Sequence, residues 1–169
     1  MFFDPSLALE KKNDIMEGDL VYAVTRKGAL QKITNARGPL DTMLRKLEAP
    51  GTAAAIVLRK ADDEMRLIGL QGAGGRFTLK KARALAESIE AVSRENGAKR
   101  VVARTWIFAE TPELMRALGF KPKNAVEAKN HEEAAKRFAA NAVLRRHVRH
   151  NVSRVPVGQW VEYSREVQQ

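Results

Sequence analysis

The sequence has 169 residues and 44% apolar side chains, which suits one domain built around one hydrophobic core. Thirty Lys and Arg against twenty Asp and Glu give a net charge of +10, which favours an anionic partner such as a nucleic acid, an acidic protein surface or a phosphorylated ligand. The chain has no cysteine, which excludes disulfides, thiolate metal sites and cysteine nucleophiles.

Neither a membrane span nor a secretory signal is visible in the sequence. No run approaches the roughly 18 apolar residues of a spanning helix. The start of the chain mixes acidic and basic residues without the basic-then-apolar order of a signal peptide. We therefore expect a cytoplasmic protein, or one within a particle assembled in the cytoplasm, with no membrane partner.

The chain divides into three predicted regions. Residues 1–17 show no strong periodicity and are interpreted as an N-terminal arm, residues 18–125 as an α/β core, and residues 126–169 as a basic C-terminal helix and final strand. Phe2 and Phe3 of the arm would either anchor it in a neighbouring protein chain or fold back on the same domain. The termini are therefore candidate contacts with other protein chains.

The first half of the core predicts a strand, a helix and a hairpin. The β-rich segment 19–25 predicts a strand, and apolar residues at helical spacing predict a helix over 40–48. Two apolar runs lie on either side of Asp62 and Asp63, which are typical turn residues. They predict a β-hairpin over 53–70.

A glycine-rich loop and the clearest helix of the chain follow the hairpin. A helix over 78–96 is predicted, with Thr78 as N-cap and Asn96 near its end. One face of this helix is apolar and consists of Leu79, Ala82, Leu85, Ala86, Ile89 and Val92. A strand over 101–106 follows.

The C-terminal part predicts two helices and a strand. A short helix ends at Gly119. Asn130 and Glu133 have the spacing of a capping box, which predicts a helix over 131–149. The last apolar segment predicts a strand over 160–164.

Two passages within residues 53–122 form a characteristic pair. One is ESIEAVSRENGAKRVVART, a predicted helix that ends at Asn-Gly and leads into a strand. The other is PELMRALGFKP, a predicted helix that ends in Leu-Gly-Phe. Together they resemble the GNAT family of N-acetyltransferases. The resemblance implies a three-layer α/β/α fold with a central mixed sheet of about six strands. The arm and the basic C-terminal region would be additions to that core.

The resemblance also implies acetyl-coenzyme A as the cofactor. In the family, backbone N–H groups of such a loop, with a helix N-terminus behind them, hold the pyrophosphate. The expected cofactor-binding residues are Gln71, Gly72, Ala73, Gly74, Gly75 and Arg76. Arg76 departs from the family pattern, which has a small residue there. The backbone of residues 65–70 would hold the pantetheine arm. The glycines alone would also fit a flexible loop.

The residues that often catalyse the reaction in the family do not match. A proton-donating Tyr is replaced by Met115, and an Asn by Phe108. Residues 65–70 contain no carboxylate that would act as general base. No catalytic residue is therefore predicted, and activity would depend on holding the amine beside the thioester.

A second candidate site is a run of cations near the C-terminus. Arg145, Arg146, Arg149 and Arg154 lie in an acid-free segment that would contact a nucleic acid or another anion. A solvated helix face explains the same pattern equally well. His147 and His150 have a spacing compatible with a metal, but no nearby carboxylate completes a ligand set, and we expect no metal.

Two functions remain open from the sequence. The first is an acetyltransferase that moves an acetyl group from acetyl-coenzyme A to an amine. The second is a non-catalytic, GNAT-like component of a larger assembly, such as a nucleoprotein complex or a virus particle. A nucleic-acid-binding protein of unrelated α/β fold is a third alternative.

Overall fold

The computed structural model describes residues 2–3, 14–25, 27, 29–33, 38–39, 52–72, 77–106, 115–140 and 160–169. The elements are β1 (Phe2–Phe3), β2 (Asp14–Ile15), β3 (Leu20–Thr25), β4 (Leu30–Ile33), β5 (Gly38–Pro39), β6 (Thr52–Ala61), β7 (Glu64–Gly72), β8 (Phe77–Thr78), α1 (Leu79–Glu95), β9 (Arg100–Trp106), β10 (Lys121–Pro122), α2 (Ala125–Ala140) and β11 (Trp160–Glu166). Within these ranges, no helix is long and apolar enough to span a membrane.

Seven strands form one mixed sheet in the order β10-β11-β9-β7-β6-β3-β4. Neighbouring strands are antiparallel except for β7 and β9, which run parallel. α1 connects this parallel pair, because parallel neighbours require a crossover rather than a tight turn. The final strand, β11, lies between β9 and β10, so the C-terminal strand is interior to the sheet.

The predicted hairpin over 53–70 is confirmed as β6 and β7, which pair around a turn at Asp62 and Asp63. Asp62 has a φ of 54°, a left-handed backbone conformation that Asp adopts more readily than most residues. The centre of β6, from Ala55 to Leu58, is fully buried because both faces of the sheet are covered there. Ile56 and Leu58 lie in the core beside α1, and Ala55 and Val57 lie in a second cluster with Ile15.

The helices α1 and α2 pack on the same face of the sheet. α1 packs Leu85 and Ile89 into a core that includes Ala103 of β9. α2 packs Ala134 against Tyr163 of β11. Ala103 and Tyr163 are direct cross-strand partners, and such partners point to the same side of a sheet. The predicted helix over 78–96 is confirmed as α1, which runs from Leu79 to Glu95.

The opposite face carries a smaller apolar cluster in which Ile15 packs with Val21 and Val57. This contact, and the pairing of β1 with β8, place residues 2–3 and 15 against the same domain. Residues 4–13 and the predicted helix over 40–48 lie outside the described residues. The sheet and helices are those of an α/β domain with a mixed sheet.

The predicted start of the C-terminal helix is wrong. α2 begins at Ala125, six residues before the predicted position. Asn124 Oδ1 accepts a hydrogen bond from the Glu127 N–H at 2.9 Å, so Asn124 is the N-cap. Asn130, the expected cap, lies inside the helix. Residues 141–149 of the predicted helix lie outside the described residues. The predicted final strand is confirmed as β11 and continues to Glu166.

Candidate functional site

The parallel pair β7 and β9 separates part-way along its length. Their ladder ends at Leu67, which is opposite Ala103. Beyond that pair, β7 remains joined to β6 and β9 remains joined to β11. No pairing in the described chain joins residues 68–72 to residues 104–106. We call the gap between these two strand ends the strand split.

A β-bulge lies at the base of the strand split. Val57 of β6 pairs with Gly69 and Leu58 pairs with Leu67, so Ile68 is an extra residue on β7. A bulge bends its strand and increases the local twist. Because Ile68 directly follows the last residue of the β7–β9 ladder, the bulge accounts for the divergence of β7 from β9 at this point.

The predicted cofactor loop begins at the open end of the strand split. Gln71 and Gly72 are the last two residues of β7 and pair with β6. Ala73, Gly74, Gly75 and Arg76 lie outside the described residues. The chain continues through β8 into α1, whose first turn contains no acidic residue and includes the exposed Lys80. A helix N-terminus of this composition favours an anion.

The residue at the family's tyrosine position belongs to an apolar cluster. Met115 is partly buried and packs in the cluster that contains Tyr163. Tyr163 is 1% exposed, and its Oη lies 2.6 Å from His131 Nδ1. Tyr163 also lies opposite Ala103, the β9 residue at which the ladder with β7 ends. A tyrosine far away in the sequence therefore lies near both the motif position and the base of the strand split.

The environment keeps both members of this hydrogen-bonded pair neutral at pH 7. Burial raises the pKa of Tyr163 far above its usual range, and the charge of Glu127 adds to the shift. Burial lowers the pKa of His131; Arg116 acts in the same direction, while Glu132 opposes it. The phenol is consequently a weak acid, and its hydrogen bond to the imidazole joins two uncharged groups.

The carboxylate on β7 is surrounded by cations. Glu64, the first residue of β7, is 9% exposed. Its Oε1 lies 2.9 Å from Lys123 Nζ and 3.4 Å from Arg100 Nη1, and its Oε2 lies 3.2 Å from Arg66 Nη2. Glu162 joins the same network through Arg66 at 3.1 Å. Glu64 directly follows the turn at Asp62 and Asp63 and lies at the end of β7 that is remote from the strand split.

These ion pairs make Glu64 a structural anion. Burial alone would raise its pKa, but the hydrogen bond and charge of Lys123, together with Arg66 and Arg100, outweigh burial and lower the pKa. A carboxylate with a lowered pKa is a poor proton acceptor at neutral pH. Glu64 therefore does not replace the missing general base.

The remaining predicted candidates lie outside the described residues. These are Phe108, the histidines His147 and His150, and the basic cluster Arg145, Arg146, Arg149 and Arg154. Within the described residues, no group of three or more His, Asp or Glu side chains is arranged to hold a metal ion.

Comparison with known proteins gives a distant structural likeness. No family model matches the sequence, and no curated protein matches it. Among solved structures, the chain is similar to N-acetylglutamate synthase from Neisseria gonorrhoeae, complexed with coenzyme A and N-acetyl-glutamate, at a TM-score of 0.42 and 16% identity. The match covers 70% of this chain and 24% of that chain. A likeness of this size carries no argument about what this chain binds or catalyses.

The sequence pattern singled out residues 71–76, of which the structure describes Gln71 and Gly72, and gave no sign of the geometry beside them. The bulge at Ile68 and the end of the ladder at Leu67 depend on strand register, for which the sequence has no local signal. The position of Tyr163 near Met115 depends on β11 entering the sheet beside β9. A buried-strand pattern around Tyr163 was the available signal, and it did not specify a neighbour.

Proposed function

We propose that the strand split binds acetyl-coenzyme A and that the domain transfers the acetyl group to an amine. The observation that best supports this proposal is the divergence of β7 from β9 after Leu67 and Ala103, at the end of the sheet where the predicted cofactor loop begins. In open α/β sheets, ligands bind outside the carboxyl ends of the strands, at a crevice between neighbouring strands. The amine acceptor follows from the sequence resemblance.

The strand edges fit the amide groups of a pantetheine arm. Backbone N–H and C=O groups of a strand point alternately to its two neighbours. Some of those in residues 68–72 and 105–106 therefore face the strand split. Polar backbone groups need a hydrogen-bond partner. An extended ligand with amides of its own supplies these partners in the way that an added strand does. The thioester of the coenzyme supplies the activated acetyl group.

The loop and helix would hold the phosphates. In the sequence, residues 73–76 link Gly72, the last residue of β7, to β8 and the N-terminus of α1. Glycines allow a close approach of the backbone to an anion. Lys80 and the net charge of +10 add attraction over a longer range.

Proximity is the proposed source of the rate. Met115 cannot donate a proton. Tyr163 is buried and hydrogen-bonded to His131. Glu64 forms ion pairs with cations at the end of β7 away from the strand split. Orientation of an amine beside a thioester still supplies a large share of a rate enhancement. The expected enzyme is accordingly slow and depends on an acceptor that is already deprotonated.

The packing of Met115 in an apolar cluster favours the alternative in which turnover is absent. In that case the core is a GNAT-like scaffold of a larger assembly, such as a nucleoprotein complex or a virus particle. The candidate contact surface is the basic cluster, whose members Arg145, Arg146, Arg149 and Arg154 would meet a nucleic acid or an acidic protein surface.

Calorimetric titration with acetyl-coenzyme A at low and at physiological salt tests the proposal. ADP serves as the control ligand, since it carries the same type of pyrophosphate but no pantetheine arm. We expect acetyl-coenzyme A to bind more tightly than ADP and to remain bound at physiological salt, where attraction between exposed charges is screened. Gly74→Val should abolish binding, whereas Ala128→Val, on an exposed position of α2, should not. Equal affinity for the two ligands, or loss of binding of both at physiological salt, would contradict the proposal.

Turnover is measured separately by the release of free coenzyme A thiol with a panel of amines. Because the chain contains no cysteine, a thiol reagent detects the product without a background from the protein. Thiol release that depends on the amine supports the transferase. Binding without release supports the non-catalytic alternative.

A further inference from the structure

We propose that a cleft between α1 and the end of β11 binds a small zwitterionic molecule, one that carries an ammonium or guanidinium group and a carboxylate. The cleft has a volume of about 690 Å³ and is lined by residues of α1, of the turn at 117–119 and of the segment around β11. Pockets for small ligands typically have volumes of about 300–1,000 Å³. This inference does not depend on the proposed coenzyme site.

Arg165, Glu90 and Gly119 shape the base of the cleft. Arg165 donates from Nη1 to the Leu118 carbonyl at 2.7 Å and from Nη2 to Glu90 Oε2 at 3.3 Å. Glu90 also accepts a hydrogen bond from the Gln168 N–H at 3.1 Å. Gly119 lies against the Arg165 guanidinium and has a φ of 80°, a conformation that favours glycine. The base is therefore held by hydrogen bonds from three parts of the chain.

The rim carries charges of both signs that have no ion-pair partner among the described residues. Arg83 and Glu87 line the cleft from α1, and Lys121 and Glu166 line it from the sheet. All four are exposed, and none forms an ion pair in the part of the chain that the structure describes. The rim thus offers two cations and two anions to a ligand.

This balance selects the class of ligand. A ligand with a single charge is attracted by two rim groups and repelled by the other two, so little net attraction remains. A molecule with separated positive and negative groups can place each beside the opposite charge. The rim of Arg83, Glu87, Lys121 and Glu166 therefore discriminates by charge pattern rather than by net charge.

The cleft is separate from the strand split. Glu166, on its rim, lies opposite Arg100, the first residue of β9, in the register of the two strands. The strand split begins only after Ala103, further along the same strand. Among the described residues, those that line the cleft do not include Gln71 or Gly72 of the predicted cofactor loop. A ligand in the cleft would therefore leave the strand split free.

The test is a titration of the full chain with 6-aminohexanoate, followed by NMR of backbone amides. Hexanoate and hexylammonium are the single-charge controls, and all titrations are matched in ionic strength. We expect saturable shifts at Leu118, Gly119 and Gln168 with 6-aminohexanoate alone. Shifts of equal size with all three compounds, or no saturable shift at these amides, would overturn the proposal.

Variants of the rim provide the second test. Lys121→Gln and Glu87→Gln each remove one charge from an exposed side chain and should weaken binding by about two- to fivefold, the usual effect of an exposed ion pair. Lys136→Gln, on an exposed position of α2, is the matched control and should bind like the unmodified protein. Unchanged affinity in both rim variants, or an equal loss in the control, would contradict the assignment.

Discussion

Lys123 Nζ lies 2.9 Å from Glu64 Oε1, which joins the residue after the edge strand β10 to the first residue of the central strand β7. The contact spans β11 and β9, the two strands between them in the sheet. It therefore ties together the two halves of the sheet that diverge at the strand split. The stability of the split geometry depends on pairs of this kind at its closed end.

Replacing Glu64 with Gln should destabilise the fold by about 1–3 kcal/mol, because Lys123, Arg66 and Arg100 lose their shared anion in a partly buried environment. Urea denaturation measures the change. Glu133→Gln, at an exposed position of α2, is the control and should change the free energy of unfolding by less than about 0.5 kcal/mol. A similar loss in both variants would contradict a special role for Glu64.

Glu64 should also make the free energy of unfolding depend on pH in the acidic range. The folded-state pKa of Glu64 is lowered, so its contribution is complete above the unfolded value of about 4.3 and is lost as pH falls through the folded value. The difference in unfolding free energy between the unmodified protein and Glu64→Gln should therefore shrink at low pH. A difference that stays constant across this range would rule out the ion pairs as its source.

Tyr163→Phe should destabilise the fold by about 1–2 kcal/mol, because the half-buried His131 loses its hydrogen-bond partner. Tyr22→Phe is the matched control. Tyr22 is also a buried tyrosine, but no hydrogen bond of its hydroxyl is found in the described structure, so its replacement should be nearly neutral. Thermal unfolding of the two variants compares them directly, and an inverted order would refute the assignment.

His131 should make the fold less stable as pH falls below about 6.5, the unfolded value for His. Its folded-state pKa is lowered, so the unfolded chain takes up the proton first. The contribution is complete above the unfolded value and is lost as pH falls through the folded value. His131→Gln should flatten the stability profile between about pH 7 and 5.5. An unchanged slope in this variant would mean that other groups cause it.

Asn124→Ala should cost about 0.5–2 kcal/mol, since it removes the N-cap of α2. Asn130→Ala is the control at the position that the sequence pattern favours as the cap. Because Asn130 lies inside α2, its replacement by a better helix former should be neutral or slightly stabilising. Chemical denaturation of both variants decides between the two starting positions.

The elements with a strong and uninterrupted pattern were predictable from the sequence. α1 has six apolar residues on one face and a clear stop, and β6 and β7 flank a turn at Asp62 and Asp63. β4 was missed, because its sequence LQKI is half polar and it lies at the sheet edge. The start of α2 was misplaced because Asn130 and Glu133 imitate a capping box within a continuing helix.

The candidate site was predictable only in its local part. The glycine-rich loop is a feature of consecutive residues and was found in the sequence. The split depends on the register of β7 against two neighbours. The ion pairs of Glu64 combine Arg66 of the same strand with Arg100 of β9 and Lys123 after β10. Contacts of this kind arise from the tertiary arrangement, which a periodicity does not encode.

Hydrogen–deuterium exchange with and without acetyl-coenzyme A tests the central claim most directly. The claim is that backbone groups of residues 68–72 and 105–106 that face the strand split contact a shared ligand. We expect acetyl-coenzyme A to slow exchange in both segments, and ADP to leave them unchanged. Residues 64–67 of β7 are already paired with β9, so their exchange should not change, and they are the internal control. Protection confined to other parts of the chain, or equal protection by ADP, would contradict the proposed site.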